Sequence, residues 1–259
     1  RKKLGLQRAE FAASGAAPIA PEVLKFFMSI GVPLFEAYGM TENCAYATSN
    51  SPENIKIGTV GVPAHGVELK LADDGEILIR SGGVFKGYFK DEQATNETID
   101  KDGWLYTGDV GIYEGDFVKI VDRKRDIIIT SGGKNVSPSE IENKIKVSPF
   151  IKEAIVIGDR RKFLSVLIGI EFDTVSNWAL RKNIPHTTYR DLSEKEEVKD
   201  LVWKEISKAN EKTSSLEVRE FRMIPKELDH EEGELTATQK VKRNVLIEQF
   251  SDLIEEMYT

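Results

Sequence analysis

The sequence has very few residues of the kinds that cross-link a chain or bind metals. Its 259 residues include one cysteine and three histidines. Because a single cysteine cannot form an internal disulfide, this composition indicates a reducing cytoplasm. No histidine lies near Cys44 in the sequence, so we interpret Cys44 as a small buried side chain rather than a catalytic nucleophile.

Long hydrophobic runs and an excess of positive charge are also missing. The longest apolar stretches, such as 127–129, have the length of a β-strand and are too short to cross a membrane. No secretory signal is visible. The formal net charge of -7 argues against a nucleic-acid-binding surface.

The first part of the chain has the pattern of an α/β unit. With 40% hydrophobic and 31% charged residues, the chain can form one large core or two to three smaller ones. Proline in the first turn and Gly31 after the last turn predict a helix over 21–30. A buried strand over 32–37 then leads into the polar segment 38–42. Ligands bind at the carboxyl ends of strands in an open α/β sheet, so this segment is a candidate site.

The pattern changes twice more along the chain. Between residues 58 and 122, short alternating strands separated by Asp-Gly turns predict a small antiparallel sheet or barrel. After Arg125, a capping box at 137–140 starts a helix, and the pattern of an α+β unit follows. The apolar stripe of the last helix is expected to pack on its own domain. The other expected elements are a helix at 91–99, strands at 154–157, 164–170 and 218–224, and helices at 174–182, 194–212 and 241–257.

Two segments near the start could bind a nucleotide. Small residues at 14–18 (Ser-Gly-Ala-Ala-Pro) allow close approach to a flat ligand, although an ordinary loop before a helix is the favoured explanation. At 38–42 (Tyr-Gly-Met-Thr-Glu), Thr41 can hydrogen-bond a phosphate oxygen and Glu42 can hold Mg²⁺. Tyr38 offers a ring for stacking. The alternative for this segment is a helix N-terminus with Thr41 as the N-cap.

A third segment, 103–111, contains an aspartate suited to a sugar. Asp109 follows a glycine at a predicted strand end, where a carboxylate can accept hydrogen bonds from two vicinal ribose hydroxyls. The alternative is an aspartate that only stabilises a β-turn. We expect the neighbouring Trp104 and Tyr106 to lie in the core.

The fourth segment, 122–135, combines a charged joint with a glycine turn. Arg123 could reach a ribose or phosphate with its planar guanidinium. Arg125 could be the residue whose backbone angles change between two domains. The glycine turn at 131–134 allows a ligand to pass close to the backbone. The alternative is a solvated charge run followed by a hairpin.

The fifth segment, 234–243, places basic residues at a predicted helix start. Helix N-termini are already partially positive, so Lys240, Lys242 and Arg243 oppose the usual preference. An anion that compensates them is one explanation. A surface cluster is the other.

In their order and spacing, these five segments resemble the adenylate-forming superfamily. That family includes acyl-CoA synthetases, firefly luciferase and peptide-synthetase adenylation domains. The similarity covers essentially the whole chain and is greatest to long-chain fatty acyl-CoA synthetases, on the segments 15–18, 128–135 and 235–243. It implies an α/β multidomain fold. Its parts would be the end of a large mixed α/β subdomain at 1–57, an antiparallel β-barrel at 58–122, a hinge at 123–126 and a mobile α+β domain at 127–259.

The resemblance also implies an activity. Such enzymes join a carboxylate to AMP, release pyrophosphate, and then pass the acyl group to coenzyme A. The implied small molecules are ATP, Mg²⁺, a fatty acid and coenzyme A. The implied nucleotide-binding residues are Gly15, Ala16 and Ala17 beside the adenine and acyl pockets, Tyr38 and Gly39 at the adenine, Thr41 at the α-phosphate, Glu42 on magnesium, and Asp109 with Arg123 at the ribose.

Domain rotation would bring different residues to the reaction in its two halves. Arg125 would be the hinge. In one pose Lys240 would bridge the acyl carboxylate and the α-phosphate, and in the other Gly132 and Gly133 would line the pantetheine tunnel. The family's lysine usually follows a glycine, whereas a glutamine precedes Lys240 here. Lys242 is therefore the alternative, with Lys240 preferred.

The resemblance leaves parts of the family pattern unmatched. The Ser/Thr-Gly-rich phosphate loop and most of the acyl tunnel have no counterpart, and the chain begins at Arg1 rather than at methionine. We therefore expect the C-terminal part of a larger synthetase that cannot adenylate alone. Peripheral membrane association stays open for an enzyme of fatty substrates. The alternatives are a synthetase for shorter or aromatic acids and a non-catalytic acyl- or nucleotide-binding homologue, which is disfavoured because the motif residues are all present.

Overall fold

The computed structural model describes residues 1–213, 216–237 and 239–259. Thr238, which belongs to the fifth segment, lies outside the described residues. The chain divides into two compact units, Arg1–Asp126 and Ile127–Thr259. The predicted combination of mixed and antiparallel sheets with helices is confirmed, and each unit has its own core.

The first unit begins with a four-stranded mixed sheet. Its first two strands are parallel, and the other neighbours are antiparallel. Helix α1 (Pro21–Ser29) connects the parallel strands, with proline in its first turn and Leu24 buried against the sheet. The prediction of this helix and of the following strand is confirmed. The strands, in spatial order, are β1 (Ala12–Ser14), β2 (Leu34–Tyr38), β3 (Thr48–Ser49) and β4 (Val62–Pro63).

The second sheet of this unit is an antiparallel meander, as predicted. Its inner side chains, among them Ile77 and Val118, form one core with Tyr38 of β2. Helix α2 (Glu92–Thr98) is capped by the Asp91 carboxylate, which accepts a hydrogen bond from the Ala94 amide at 2.9 Å. The strands are β5 (Glu68–Leu71), β6 (Glu76–Arg80), β7 (Leu105–Glu114) and β8 (Phe117–Arg123).

The second unit is built around one fully buried strand. All seven residues of β12 (Leu164–Ile170) are buried, which requires cover on both faces of the sheet. Strand β12 pairs antiparallel with β11 (Ile151–Ile157) and parallel with β13 (Val218–Met223). A separate hairpin joins β9 (Ile128–Ile129) to β10 (Asn135–Val136).

Helices cover the two faces of this sheet. The core on one face includes Val166 and Ile168 of β12, and the core on the other includes Leu167. Helix α3 (Pro138–Ile145) starts at the predicted capping box, where the Ser137 hydroxyl accepts from the Glu140 amide at 3.3 Å. The later helices are α4 (Phe172–Arg181), α5 (Tyr189–Glu194), α6 (Glu196–Glu211), α7 (Arg243–Gln249) and α8 (Ser251–Glu256). Across the described ranges, every helix is too short or too polar to cross a membrane.

The prediction of one continuous terminal helix over 241–257 is wrong. The helix begins only at Arg243, because Val241 forms a β-bridge with Leu235. It is interrupted at Phe250, whose backbone angles of φ -107° and ψ 27° lie outside the helical range. Phe250 is itself buried with residues of both helices. The expectation that the apolar stripe packs on its own unit is confirmed.

We predict that Leu246→Ala destabilises the second unit by about 2–5 kcal/mol, because Leu246 is fully buried and its truncation leaves a cavity. Val245→Ala, the matched control on the same helix, should cost less than about 1 kcal/mol, since Val245 is 37% exposed. Urea unfolding followed by tryptophan fluorescence measures both. Equal effects of the two variants would contradict the packing described here.

Candidate functional site

A cleft of about 1070 Å³ opens in the first unit, at the carboxyl end of β2. Its walls come from the loop after β1, the segment after β2, the middle of β7 and the end of β8. Most of the site residues predicted in this unit line it. These are Gly15, Ala16, Tyr38, Gly39, Thr41, Glu42, Arg123 and Arg125, whereas the exposed Ala17 and the buried Asp109 lie outside the lining.

Small residues bring the backbone close at this cleft. A Cβ atom on Gly39 would lie 2.2 Å from the Ala45 carbonyl carbon, so only glycine fits there. Ala16 has a φ of 67°, an uncommon left-handed conformation for alanine. The backbone is therefore tightly constrained at two points of the cleft wall, Ala16 after β1 and Gly39 after β2.

The segment after β2 turns into a single 3-10 turn, Thr41–Asn43. Its N-cap is Met40, so the alternative that made Thr41 the N-cap is wrong. The Asn43 side-chain oxygen accepts from the Met40 amide at 2.9 Å and so ties the third residue of the turn back to its N-cap. Thr41 lies exposed on the cleft wall, and its hydroxyl is not engaged in capping.

Glu42 is held in place by a tyrosine from a distant loop. The Tyr88 hydroxyl donates to Glu42 Oε1 at 2.8 Å. This hydrogen bond raises the pKa of Tyr88. The carboxylate keeps lone pairs on its other oxygen for a ligand that approaches through the cleft.

Cys44 is exposed on the cleft wall, so the expectation of a buried side chain is wrong. It ends the 3-10 turn with a left-handed φ of 56°.

Asp109 lies in the middle of β7, not at a strand end as predicted. It is only 8% exposed and has two partners that the sequence places far away. The Tyr38 hydroxyl donates to Oδ2 at 2.6 Å, and Arg123 Nε lies 3.5 Å from Oδ1. The contact with Arg123 follows from the strand register, because Asp109 of β7 and Arg123 of β8 are paired opposite each other.

Tyr38 provides this contact as a neutral donor. Burial, followed by the charge of Asp109, raises the pKa of Tyr38, so the phenol keeps its proton at neutral pH. The ring belongs to the core of the first unit, and only 9% of the residue is exposed. Its best-defined role in the structure is to orient the carboxylate.

At the end of β8, two residues with ion-pair partners in the sheet are followed by a residue that is mainly exposed. Arg123 pairs with Asp109, and Lys124 Nζ pairs with Asp74 at 2.6 Å and with Glu76 at 2.9 Å. The next residue, Arg125, has 76% of its side chain exposed and pairs with Asp126 at 3.9 Å. The unit boundary follows directly after Asp126.

The remaining predicted residues belong to the second unit. Gly132 and Gly133 form an exposed turn in which Gly133 has a φ of 75°. The strands on both sides of it pair as a hairpin, the arrangement that the alternative explanation of this segment included. Lys240 lies in a tight turn closed by the Thr236 amide, which donates to the Lys240 carbonyl at 2.8 Å. Lys240 and Lys242 are both exposed.

Arg243 has a structural partner. Its guanidinium lies 2.6 Å from Glu142 Oε1 and donates to the Val156 carbonyl at 3.0 Å. The anion that compensates this member of the basic cluster is therefore a carboxylate of helix α3.

Two family models match the chain. One, described as the AMP-binding enzyme C-terminal domain, matches residues 125–259, which is more than half of the chain. The other, described as AMP-binding enzyme, matches residues 1–89. The chain belongs to the AMP-binding enzyme family. The resemblance drawn from the five segments is thereby confirmed.

Curated AMP-binding enzymes similar to the chain are named as fatty-acid ligases. A long-chain-fatty-acid–CoA ligase of Mycobacterium tuberculosis is 38% identical over 250 residues, which cover 95% of this chain and 42% of that protein. A long-chain-fatty-acid–CoA ligase of Gallus gallus is 32% identical over 283 residues, covering all of this chain and 37% of that protein. The chain thus spans less than half the length of these relatives.

Solved structures of AMP-binding enzymes share the fold. The adenylation domain of a carboxylic acid reductase from Segniliparus rugosus, in complex with AMP, has a TM-score of 0.74 at 24% identity. That match covers 95% of this chain and 39% of the other. The O-succinylbenzoate coenzyme A synthetase of Bacillus subtilis, also with AMP, has a TM-score of 0.66 at 26% identity, covering 90% and 45%.

Several contacts in and around this cleft were not foreseen. Tyr88 follows a glycine in a polar loop and is 46 residues from Glu42, so no local pattern connects them. Glu76 opens a strand of alternating residues, and its burial cannot be deduced from that alternation. The expectation that Tyr106 lies in the core is wrong, because it is 39% exposed. Trp104 is only partly buried, and Lys70 stacks on its ring 3.9 Å from the centroid.

Strand β2 contains a carboxyl group, that of Glu36, with an unusual proton affinity. Burial raises the pKa of Glu36 from 4.5 to about 7, opposed by a hydrogen bond from the Ile19 backbone. The folded state therefore binds this proton more tightly than the unfolded state does. Its contribution to stability is full below pH 4.5 and decreases as the pH rises towards 7.

We predict that Glu36→Gln removes this pH dependence. The free energy of unfolding of the variant, relative to that of the wild type, should increase between pH 4.5 and 7 by at most about 3 kcal/mol. Above pH 7 this difference should stay constant. Urea unfolding at pH 5, 6, 7 and 8 measures it. The exposed Glu53→Gln is the control, with a smaller pH-dependent difference. A difference between Glu36→Gln and wild type that is the same at every pH would refute the assignment.

Proposed function

We propose that the chain contributes the ribose-binding site, the hinge and the C-terminal domain of an ATP-dependent long-chain fatty acid–CoA ligase. The reaction joins a fatty acid to AMP with release of pyrophosphate, and then transfers the acyl group to the thiol of coenzyme A. The observation that supports it best is the buried Asp109 carboxylate, oriented by Tyr38 and Arg123 beside the cleft.

The chemistry of the Asp109 carboxylate supports the ribose assignment. Tyr38 occupies one oxygen at 2.6 Å, and Arg123 reaches the other only at 3.5 Å, which is long for a hydrogen bond. An ionised carboxylate accepts hydrogen bonds through both oxygens, which is what the two donors of a vicinal diol require. Because the group is already desolvated and fixed, binding a diol loses little conformational entropy.

The phosphates would lie at the 3-10 turn. Thr41 presents an exposed hydroxyl, and Glu42 is one residue further along the same wall. Among the described residues, no three acidic, histidine or cysteine side chains gather as a metal site. One carboxylate nevertheless suits Mg²⁺, which takes its other ligands from phosphates and water. Glu42 would hold the ion, which supplies charge neutralisation at the phosphates when bound.

The second unit would provide the residues that act in turn. A lysine at the α-phosphate stabilises the negative charge that develops as the carboxylate attacks phosphorus. We assign this role to Lys240, which is exposed and whose carbonyl accepts from the Thr236 amide. Gly132 and Gly133 would line the path of the pantetheine arm, and Arg125 would be the pivot that exchanges the two surfaces.

The acyl substrate is proposed from the relatives' names. The sequence relatives of greatest similarity reported above are long-chain ligases, and this favours a fatty acid over the shorter or aromatic acids of other family members. Thr41, Glu42, Asp109 and Arg123 are all present, which favours an enzyme over a non-catalytic homologue. The phosphate loop is not among the 259 residues, so we propose that they do not complete adenylation alone.

We predict that Lys240→Ala abolishes fatty-acid-dependent ATP–pyrophosphate exchange in the complete natural polypeptide that carries these residues. Loss of the charge at the α-phosphate should reduce the rate at least about 100-fold, whereas Lys242→Ala should change it less than about threefold. Acids of several chain lengths establish the substrate class. A larger loss in Lys242→Ala than in Lys240→Ala would transfer the role to Lys242. Pyrophosphate release by the 259 residues alone would refute the proposal that they need other residues for adenylation.

A further inference from the structure

Strand β7 carries a bulge at the position of Asp109. Glu76 of β6 faces Val110 of β7, and Leu78 faces Tyr106. One residue of β6 is therefore opposite three residues of β7, which are 107–109. Extra residues in one strand lose their ladder partners, and their backbone groups need other hydrogen bonds.

Side chains replace the lost ladder bonds. The Thr107 hydroxyl donates to the Ile77 carbonyl at 2.7 Å, and the Asp109 amide donates to the same hydroxyl at 3.1 Å. The Gly108 amide donates to Glu76 Oε1 at 2.9 Å. Gly108 has a φ of 72°, which glycine adopts without strain. The bulge is thus a defined conformation, and a carboxylate holds its central residue.

The other oxygen of Glu76 binds the end of β8. Lys124 Nζ lies 2.9 Å from Glu76 Oε2, and the Lys124 amide donates to the Gly108 carbonyl at 2.8 Å. Glu76, Gly108 and Lys124 therefore form a closed ring of hydrogen bonds. Glu76 is only 6% exposed, so these partners replace the water that the buried carboxyl group has lost. Asp74, the second partner of Lys124, lies closer at 2.6 Å, but its side chain is half exposed and does not contact Gly108.

The ring is adjacent to the contact that fixes the ribose carboxylate. Asp109 follows Gly108 in β7, and Arg123, the last residue of β8, directly precedes Lys124. A shift of either strand at the ring would therefore move both partners of the Asp109–Arg123 pair. Arg125, one residue beyond Lys124, is the first residue of this segment that points mainly into solvent.

We infer that Glu76 is a positioning residue that couples the ribose carboxylate Asp109 to the segment that ends at Arg125. Through Gly108 it holds the bulge that aims Asp109, and through Lys124 it fixes the chain immediately before the hinge. Occupation of the ribose site then stiffens residues 123–125, and loosening of these residues weakens nucleotide binding, because coupling between two sites is reciprocal. The ribose part rests on the proposed function.

Two variants separate the roles of the ring. Glu76→Gln keeps an acceptor for the Gly108 amide and removes the charge that binds Lys124. Asp74→Asn, the matched control, removes the exposed partner of the same lysine. Trypsin cleavage after Arg125, followed by mass spectrometry with and without AMP, reports on the segment. Calorimetric titration with AMP reports on the site.

In the 259-residue chain we expect Glu76→Gln to accelerate cleavage severalfold without nucleotide and to weaken AMP binding about tenfold. AMP should protect the wild type and Asp74→Asn from cleavage and should no longer protect Glu76→Gln. The amide of Val118, in the core of the unit, should exchange its hydrogen at the same rate in the wild type, Asp74→Asn and Glu76→Gln. Equal rates would exclude a general loosening of the unit. Lys124→Met should reproduce the effects of Glu76→Gln.

Unchanged cleavage and unchanged protection in folded Glu76→Gln would overturn the inference. If Glu76→Gln is poorly folded, Lys124→Met decides in the same way. If the wild type does not bind AMP, the proposed nucleotide site fails, while the cleavage rate without nucleotide still tests the link between Glu76 and residues 123–125.

Discussion

The site depends on one buried carboxylate, Asp109. A carboxylate that is 8% exposed must be compensated, and here a neutral phenol and a guanidinium provide the compensation. Each partner comes from a different element, Tyr38 from the mixed sheet and Arg123 from the last strand of the meander. The hydrogen bond from Tyr38 and the ion pair with Arg123 therefore join the two sheets of the first unit at Asp109. The cleft lies between the segment after β2 and the middle of β7.

The elements that local patterns define were predicted well from the sequence. Proline and glycine bracket α1, the Ser137 capping box starts α3, and the apolar run of β12 ends at the predicted residues. These signals involve residues that are close in sequence and act through backbone preferences. The five ordered segments also led to the AMP-binding enzyme family, which the two family models confirm.

The sequence did not reveal features that depend on distant contacts. The bulge at 107–109 has no local signature, and it moves Asp109 from a strand end to the middle of β7. The exposed Cys44 and the interruption at Phe250 follow from backbone angles that tertiary packing selects. Likewise, the contact of Tyr88 with Glu42 joins residues of separate loops. In each case the deciding partner lies in an element that periodicity alone cannot place.

The central claim is that Asp109 recognises the vicinal hydroxyls of a ribose. The most direct test compares the binding of AMP and 2′,3′-dideoxy-AMP to the 259-residue chain by calorimetric titration. The account predicts at least about tenfold weaker binding of the dideoxy compound, because a buried acceptor would lose its hydrogen-bond donors. Equal affinity for the two nucleotides would contradict it.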